Sequence, residues 1–346
     1  MEDFRGLLLD TFARYPAMRM QDFVKLAYQS TYGCGHLIRD IKTARERLYA
    51  EAESVTPRER ELTEAIGSGL LRLHLDAPRT CSLAAVCALF FYTAATVTGT
   101  REELEEKLAV IAELCHEGAL PCSGDTWLLC YRAAGCPAVH HSDAYRLAYQ
   151  PAYRVVSEQA LRFLPLCEAI DKLLAERDIV TVAIDGNSGA GKSVLAQAIA
   201  DAYGANLFHM DDFFLRPEQR TPERYAMPGG NVDYERFQKE VLLPLSVNTP
   251  FDYRAFDCRT MQLGERISVK PKRLRIVEGA YSQHPVFGEP YDLRVFLGLP
   301  PAEQSARILK RNGRAMWKRF MNEWIPYENA YFAHYGVLQK ADYLFL

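Results

Sequence analysis

The chain has 346 residues, of which 49% are hydrophobic and 25% are charged, as in folded globular proteins. This length exceeds what one hydrophobic core supports, so we expect two domains. The net charge of −3 gives no electrostatic basis for a nucleic-acid or membrane-surface partner. The nine cysteines form no C-x-x-C pair, which favours free thiols in a reducing compartment over disulfides or a zinc site.

Two further features favour a cytoplasmic protein. The first residues, Met1-Glu2-Asp3-Phe4-Arg5, are acidic and predict no signal peptide. Residues 81–100 carry no charge, but Ser82 is a good helix N-cap and Gly99 a good stop. We therefore interpret this stretch as a buried core helix rather than a membrane span.

Residues 1–176 predict an all-α domain, because no period-2 alternation stands out among them. Pro165 falls inside the last predicted helix and should kink or split it. Residues 100–103, Thr-Arg-Glu-Glu, form a capping box that opens an amphipathic helix. The expected helices are 2–15, 22–28, 37–52, 82–97, 100–116, 125–134 and 157–176.

Two polar features of this half leave its role open. Residues 22–32 and 143–153 share Asp, Leu, Ala, Tyr, Gln and Tyr in register. They are either two related helix starts that face one another around a shared ligand, or a chance match. Cys34, His36, His140 and His141 could bind a metal, but their spacing gives no helix-face pair and favours satisfied or surface histidines.

The strongest motif is Gly186-Asn187-Ser188-Gly189-Ala190-Gly191-Lys192-Ser193. It follows an apolar, β-branched run and precedes a predicted helix, which is the context of a phosphate-binding P-loop. Its backbone amides and the helix dipole form an anion nest. We expect Lys192 to reach the β- and γ-phosphates of a nucleoside triphosphate and the Ser193 hydroxyl to hold Mg²⁺.

From residue 177 strands alternate with helices, which predicts an α/β domain over 177–346 with a five-stranded parallel sheet. The expected strands are 179–184, 206–209, 274–277, 293–297 and 343–345. Carboxylates follow two of these strands, where the chemistry of such sheets gathers. Asp211 is the candidate base for an attacking hydroxyl or a partner of Mg²⁺, with an Asp pair that caps a turn as the alternative; Glu278 is the candidate Mg²⁺ partner.

Three arginines lie on and after a helix predicted at 301–310. Arg307 and Arg311 share a helix face, while Arg314 follows Gly313, which permits a mobile loop. They form either a lid that brings positive charge over a transferring phosphoryl group or a solvated basic face.

Motifs at 185–193, 209–214 and 277–279, followed by the arginine segment, are similar in order to the uridine kinase/phosphoribulokinase group of P-loop kinases. The resemblance covers residues 177–346, and uridine kinase-like proteins with a preceding helical domain resemble the whole chain. It implies helices on both faces of the sheet, ATP with Mg²⁺, and transfer of a phosphoryl group to an alcohol. Asp211 matches the catalytic Asp, while Lys192, Arg307 and Arg311 would assist transfer and Arg314 would contact nucleotide.

The same resemblance suggests the acceptor site. Asp233 is similar to the family's ribose-binding Asp, and Phe256-Asp257 to its Tyr-Asp pair, with Tyr253 close by. Residues 258–261, Cys-Arg-Thr-Met, stand where uridine kinases carry a base-reading His. The expected partner is therefore a nucleoside or a similar alcohol, with a pantothenate- or sugar-type acceptor as an alternative.

The function expected from these residues is ATP-dependent phosphorylation of a small molecule, without a nucleic-acid or membrane partner. A nucleotide-dependent switch or ATPase whose helical domain binds a partner is the alternative from another class. The sequence leaves open a homo-oligomer.

Overall fold

The computed structural model describes residues 2–121 and 126–346. The chain divides into two compact units, unit 1 (Met1–Glu168) and unit 2 (Ala169–Leu346), whose border falls inside a helix. Each unit has its own sheet.

Unit 1 consists mainly of helices, with one small sheet. Its helices are α1 (Glu2–Arg14), α2 (Met20–Tyr32), α3 (Ile41–Ser54), α4 (Leu83–Thr96), α5 (Arg101–His116), α6 (Thr126–Ala133), α7 (Asp143–Tyr149), α8 (Glu158–Leu161) and α9 (Leu164–Glu176), which crosses the border. Its strands are β1 (Thr63–Gly67), β2 (Leu70–His74) and β3 (Tyr153–Ser157).

Local sequence signals place several of these helices correctly. The Ser82 side chain accepts a hydrogen bond from the Ala85 amide at 3.1 Å and caps α4. Thr100 and Glu103 form the predicted capping box of α5. The helix expected over 157–176 is split into α8 and α9 next to Pro165. The end of the predicted 125–134 helix at Asp125 lies outside the described residues.

The expectation that residues 1–176 are all-α is wrong, because β1, β2 and β3 form an antiparallel sheet. The central strand β2 is buried at all five positions, so it shows no alternation of apolar and polar residues. It also carries Arg72 and His74 into the interior, where their side chains are 1% and 4% exposed. Buried charged residues of this kind conceal a strand from pattern analysis.

The two similar segments 22–32 and 143–153 are in contact, but their aspartates differ. Asp22 is buried and accepts hydrogen bonds from His141 Nδ1 at 2.9 Å and from the backbone and hydroxyl of Ser142. Asp143 is exposed and pairs with an arginine one turn away. Tyr153 bonds His141 Nε2 at 2.7 Å and Gln29 at 3.2 Å. His141 is therefore a satisfied core histidine in this structure.

Stability should fall when His141 is forced to titrate. Burial, opposed by its bond to Asp22, lowers the pKa of His141 from 6.5 to about 4. The unfolded chain then binds a proton before the folded chain does, so stability present above pH 6.5 is lost as the pH falls towards 4. The full effect is about 3 kcal/mol.

We expect His141→Asn, which keeps a donor for Asp22, to show a smaller loss of unfolding free energy than the wild type between pH 7 and pH 5. Urea unfolding at both pH values measures the difference, and carboxyl groups that titrate in both proteins cancel in it. Identical pH dependence in the two proteins would contradict this assignment.

Cysteines and apolar helices complete the account of unit 1. Seven described cysteines are free, five of them in its interior, but Cys115 is disulfide-bonded, so the expectation of free thiols fails there. Among the described residues no group of three or more His, Cys, Asp and Glu side chains could hold a metal. In the same part of the chain no single helix is long and apolar enough to cross a membrane, although α4 and α5, bent by 104°, pass that test together.

Unit 2 contains a five-stranded parallel sheet and a separate hairpin. Its strands are β4 (Val180–Gly186), β5 (Asn206–His209), β6 (Phe251–Asp257), β7 (Gln262–Val269), β8 (Leu274–Glu278), β9 (Leu293–Leu297) and β10 (Tyr343–Phe345). Its helices are α10 (Lys192–Tyr203), α11 (Pro222–Ala226), α12 (Tyr234–Phe237), α13 (Leu243–Ser246), α14 (Pro301–Arg319) and α15 (Ile325–Tyr335).

The main sheet has the order β10-β9-β4-β8-β5, with every neighbouring pair parallel. This confirms the predicted five strands and the α/β class of this half. β4 and β8 are buried at every position, which requires cover on both faces of the sheet. Phe208, Val277 and Phe296 of three strands share one core cluster with Tyr331 and Phe332 of α15. The β6–β7 hairpin was not predicted, because most of β7 is exposed and carries charged residues.

Candidate active site

The register of the sheet brings the carboxyl ends of three strands together. Glu278, the last residue of β8, lies opposite Ile184 of β4 and His209 of β5. The glycine-rich loop of residues 186–193 begins where β4 ends, and Asp211 follows β5 in a short 3-10 turn. Residues that are about 70 positions apart in sequence thus meet at one edge of the sheet, the usual place for a ligand site in parallel α/β folds.

The glycine-rich loop depends on glycine at three positions with positive φ, Gly186, Gly189 and Gly191. Gly186 is the most constrained, because a Cβ atom there would lie 2.0 Å from the carbonyl oxygen of Leu297 on the adjacent strand β9. The amide of Asn187 donates to that carbonyl at 2.9 Å. The loop is thereby fixed against the sheet at its first turn.

We expect Gly186→Ala to destabilise unit 2 by about 3–5 kcal/mol, since it combines an unfavourable φ of 135° with a backbone clash. Gly288→Ala is the matched control, because Gly288 also has a positive φ of 73° but has nothing within 4 Å of the added Cβ. That variant should lose only about 1–2 kcal/mol. Urea unfolding free energies measure both, and equal losses would show that the approach to β9 is unimportant.

Lys192, at the start of α10, folds back over the loop. Its side chain is largely buried, and Nζ donates to the carbonyl oxygens of Gly186 at 2.9 Å and Asn187 at 3.0 Å. Ser193, the next residue, is exposed at the surface of the unit. The ammonium group is therefore held at the mouth of the loop, next to the free amides at the beginning of the helix.

Asp211 lies within electrostatic reach of Lys192 and Glu278. Its side chain is open to solvent, yet it stands in a cleft crowded by protein atoms. Desolvation in this cleft raises the pKa of the Asp211 carboxyl; Lys192 opposes the shift and Glu278 adds to it. A carboxylate with a raised pKa beside a fixed ammonium group is suited to accept a proton.

Glu278 is a buried carboxylate whose Oε1 accepts from His209 Nδ1 at 2.5 Å. This hydrogen bond raises the pKa of His209, so the pair favours the charged imidazolium. The oxygens of Glu278, Asp211 and the Ser193 hydroxyl are hard donors of the kind Mg²⁺ prefers. Because Mg²⁺ keeps several waters and binds substrate phosphates, one or two protein oxygens are sufficient to fit it.

Two carboxylates at the loop were not identified as site residues from the sequence. Glu328 of α15 accepts from the backbone amide of Ser188 at 3.0 Å and from the Ser188 hydroxyl. Asp185 accepts from the Gly186 amide at 2.7 Å and from the Tyr331 hydroxyl at 2.9 Å. Burial raises the pKa of Asp185 to about 6 and also raises the pKa of Glu328. The sequence holds no local signal for Glu328, which is 140 residues from its partner.

The three arginines of the predicted lid lie along α14, which continues to Arg319 with a non-helical Gly313 inside it. Arg307 Nη1 donates to the Gly189 carbonyl at 3.3 Å, so this arginine touches the glycine-rich loop. Arg311 bonds the neighbouring Asn312 side chain at 2.7 Å, and Arg314 is exposed beyond Gly313. The three side chains therefore occupy different environments.

The residues expected to hold the acceptor are divided among separate positions. Asp233 is 1% exposed, caps α12, and has Oδ2 at 3.5 Å from Arg216 and 3.6 Å from Arg236. The other three belong to β6. Tyr253 donates to Asp212 at 3.3 Å, Phe256 is buried under Arg220, and Asp257 bonds the turn that follows the strand.

A parallel α/β sheet with a glycine-rich loop and several carboxylates at its carboxyl edge defines the class of unit 2. No protein-family model and no curated protein matches the chain. Among solved structures it is similar to a possible uridine kinase from Bacillus stearothermophilus, with 20% identity over 55% of this chain and 100% of that chain, at a TM-score of 0.44. It is also similar to the YGR205w protein, with 12% identity over 52% of this chain and 89% of that chain, at a TM-score of 0.33. Both TM-scores are below 0.5, so neither structure carries an argument about this chain.

Proposed function

We propose that this protein is an ATP-dependent kinase that transfers the γ-phosphoryl group to a hydroxyl of a small molecule, a nucleoside or a similar polyol. The observation that supports it most is the proximity of Lys192, held over the glycine-rich loop, to the perturbed carboxyl of Asp211. A kinase needs both groups at one place, one for the phosphates and one for the acceptor hydroxyl. A nucleotide switch has no need of the second.

In this proposal the amides of residues 189–193 and the Lys192 ammonium bind the β- and γ-phosphates. Mg²⁺, held by Ser193 and Glu278 and through water by Asp211, would neutralise phosphate charge. Asp211 orients the acceptor hydroxyl and takes its proton as the oxygen attacks phosphorus.

Glu328 and the arginines complete the proposed phosphate site. Glu328 holds the Ser188 turn of the loop, so the loop amides are oriented before nucleotide arrives. Arg307, which already contacts the loop, supplies positive charge for the transferring group, and Arg311 and Arg314 approach through movement about Gly313.

For the acceptor we propose the side of the cleft formed by Asp212 and Tyr253, next to Asp211. Phe256 and Asp257 belong to the same hairpin and would border it. Asp233 would reach a hydroxyl only after its contacts with Arg216 and Arg236 rearrange, because it is buried in this structure. We place the kinase domain at residues 177–346, preceded by a domain of residues 1–176.

The test is a thermal-shift screen of nucleosides, pantothenate and sugars with a non-hydrolysable ATP analogue and Mg²⁺, followed by measurement of ADP release with each compound that stabilises the protein. A true acceptor binds the folded state and raises the melting temperature by mass action, and it should also be required for ADP release. ATP turnover that is independent of every alcohol would favour a switch or ATPase and reject the kinase.

A further inference from the structure

A second cluster of buried polar groups lies entirely within unit 1, where the proposed kinase chemistry makes no use of it. It surrounds a cavity of about 230 Å³, counted to its open mouth, whose enclosed part has room for a single water-sized group. The residues that line it include Tyr15, Glu64, Arg72, His74, Tyr145 and Tyr149.

Arg72 is the central residue of this cavity. Its side chain is 1% exposed, and one end of the guanidinium, Nη1, lies 3.6 Å from Glu64 Oε2. The guanidinium carbon also lies 4.9 Å from the centre of the Tyr153 ring. The other two nitrogens, Nε and Nη2, are buried without a hydrogen-bond partner. These two nitrogens form the edge of arginine that pairs with both oxygens of a carboxylate at once.

His74 adds a third unpaired donor. Its Nε2 lies 3.0 Å from Nη2 of Arg60, and an arginine nitrogen can only donate. Nε2 therefore accepts, which assigns the ring proton to Nδ1, a buried atom without a partner. Unpaired buried donors are costly, so three of them in one cavity call for an acceptor that a ligand supplies.

The charge of the surroundings also favours an anion. Four arginines, Arg14, Arg58, Arg60 and Arg72, face only two carboxylates, Glu64 and Asp76. Glu64 is already occupied, because it also accepts from the Tyr15 hydroxyl at 3.2 Å. An excess of positive charge in a buried site is stabilised by a bound negative group.

We propose that unit 1 binds the carboxylate of a small organic acid at Arg72. The carboxylate pairs with Nε and Nη2 of Arg72 and accepts a third hydrogen bond from His74 Nδ1. Because the enclosed part of the cavity admits only a small head group, the body of the acid lies at the mouth, among the tyrosine rings of Tyr145 and Tyr149 and against Pro151. This site is separate from the glycine-rich loop and does not depend on the proposed kinase activity.

The test is isothermal titration calorimetry of the full chain with benzoate and, separately, with inorganic phosphate. Benzoate should bind the wild type and the Lys192→Ala variant equally, because Lys192 belongs to the other unit. Arg72→Lys keeps the charge but loses the two-nitrogen edge, and should weaken benzoate about 10- to 100-fold. Arg146→Lys, a change at an exposed arginine of the same unit, should leave the affinity unchanged.

Since Arg72 is buried, its variant is used only if its circular dichroism spectrum and urea midpoint match the wild type. If it fails that criterion, His74→Phe tests the same site by removing the third donor, with about a two- to tenfold loss of affinity. Three results would overturn the proposal: no benzoate binding at millimolar concentration, unchanged binding by the folded variant, or Arg72-dependent binding of phosphate in place of benzoate.

Discussion

Replacement of Lys192 by alanine is expected to lower phosphoryl transfer by about a thousandfold or more. The Lys192 side chain is largely buried and its ammonium group is held by two loop carbonyls, so no other cation can take its place at the mouth of the loop. The charge that spreads over the transferring phosphoryl oxygens would then lack its fixed counter-charge. Initial rates of ADP release, with the acceptor found by the screen, measure the effect.

Lys318→Ala is the matched control for this change, since Lys318 is an exposed lysine of the same unit and should tolerate it. The two variants should have the same circular dichroism spectrum, which separates a loss of chemistry from a loss of folding. A Lys192→Ala variant with unimpaired turnover would reject the assignment of the loop as a phosphate site.

Asp211→Asn should lower kcat by about 10²- to 10⁴-fold while the affinity for ATP is kept. The amide is nearly isosteric with the carboxyl but cannot accept the acceptor's proton. The raised pKa of Asp211, caused by desolvation in the cleft, is what makes the carboxylate an effective base. Steady-state kinetics with varied acceptor, together with a binding titration of the ATP analogue, measure the two quantities separately.

Asp212→Asn provides the comparison for that experiment, because the adjacent carboxylate bonds Tyr253 and should affect KM for the acceptor more than kcat. A loss of ATP affinity in Asp211→Asn equal to its loss of turnover would identify Asp211 as a metal ligand or a structural residue. A small effect on both would place the base elsewhere.

The two proposed sites imply a division of labour within the chain. In unit 2 a carboxylate, Glu328, already satisfies the first amide of the glycine-rich loop, and the remaining amides await phosphate. In unit 1 the corresponding acceptors are missing at Arg72 and His74. The distinction between satisfied and unsatisfied donors is the physical basis for proposing different ligands, a nucleotide for one unit and an organic acid for the other.

The sequence by itself determined the parallel sheet, the loop that follows its first strand, and the helix caps at Ser82 and Thr100. These features depend on short-range effects: β-branched runs favour buried strands, glycines permit positive φ, and a side-chain oxygen reaches an amide three residues away. Each effect acts within a few residues, so each leaves a local pattern that can be recognised without a structure.

Only the tertiary structure decided where charged groups lie in the interior. β2 is a central strand that carries Arg72, and Glu328 meets Ser188 across 140 residues of chain. Pattern analysis assigns charged residues to the surface, because burial of an unpaired charge is unfavourable. A partner that makes such burial tolerable comes from a distant segment, and its position is fixed by packing rather than by any neighbour in sequence.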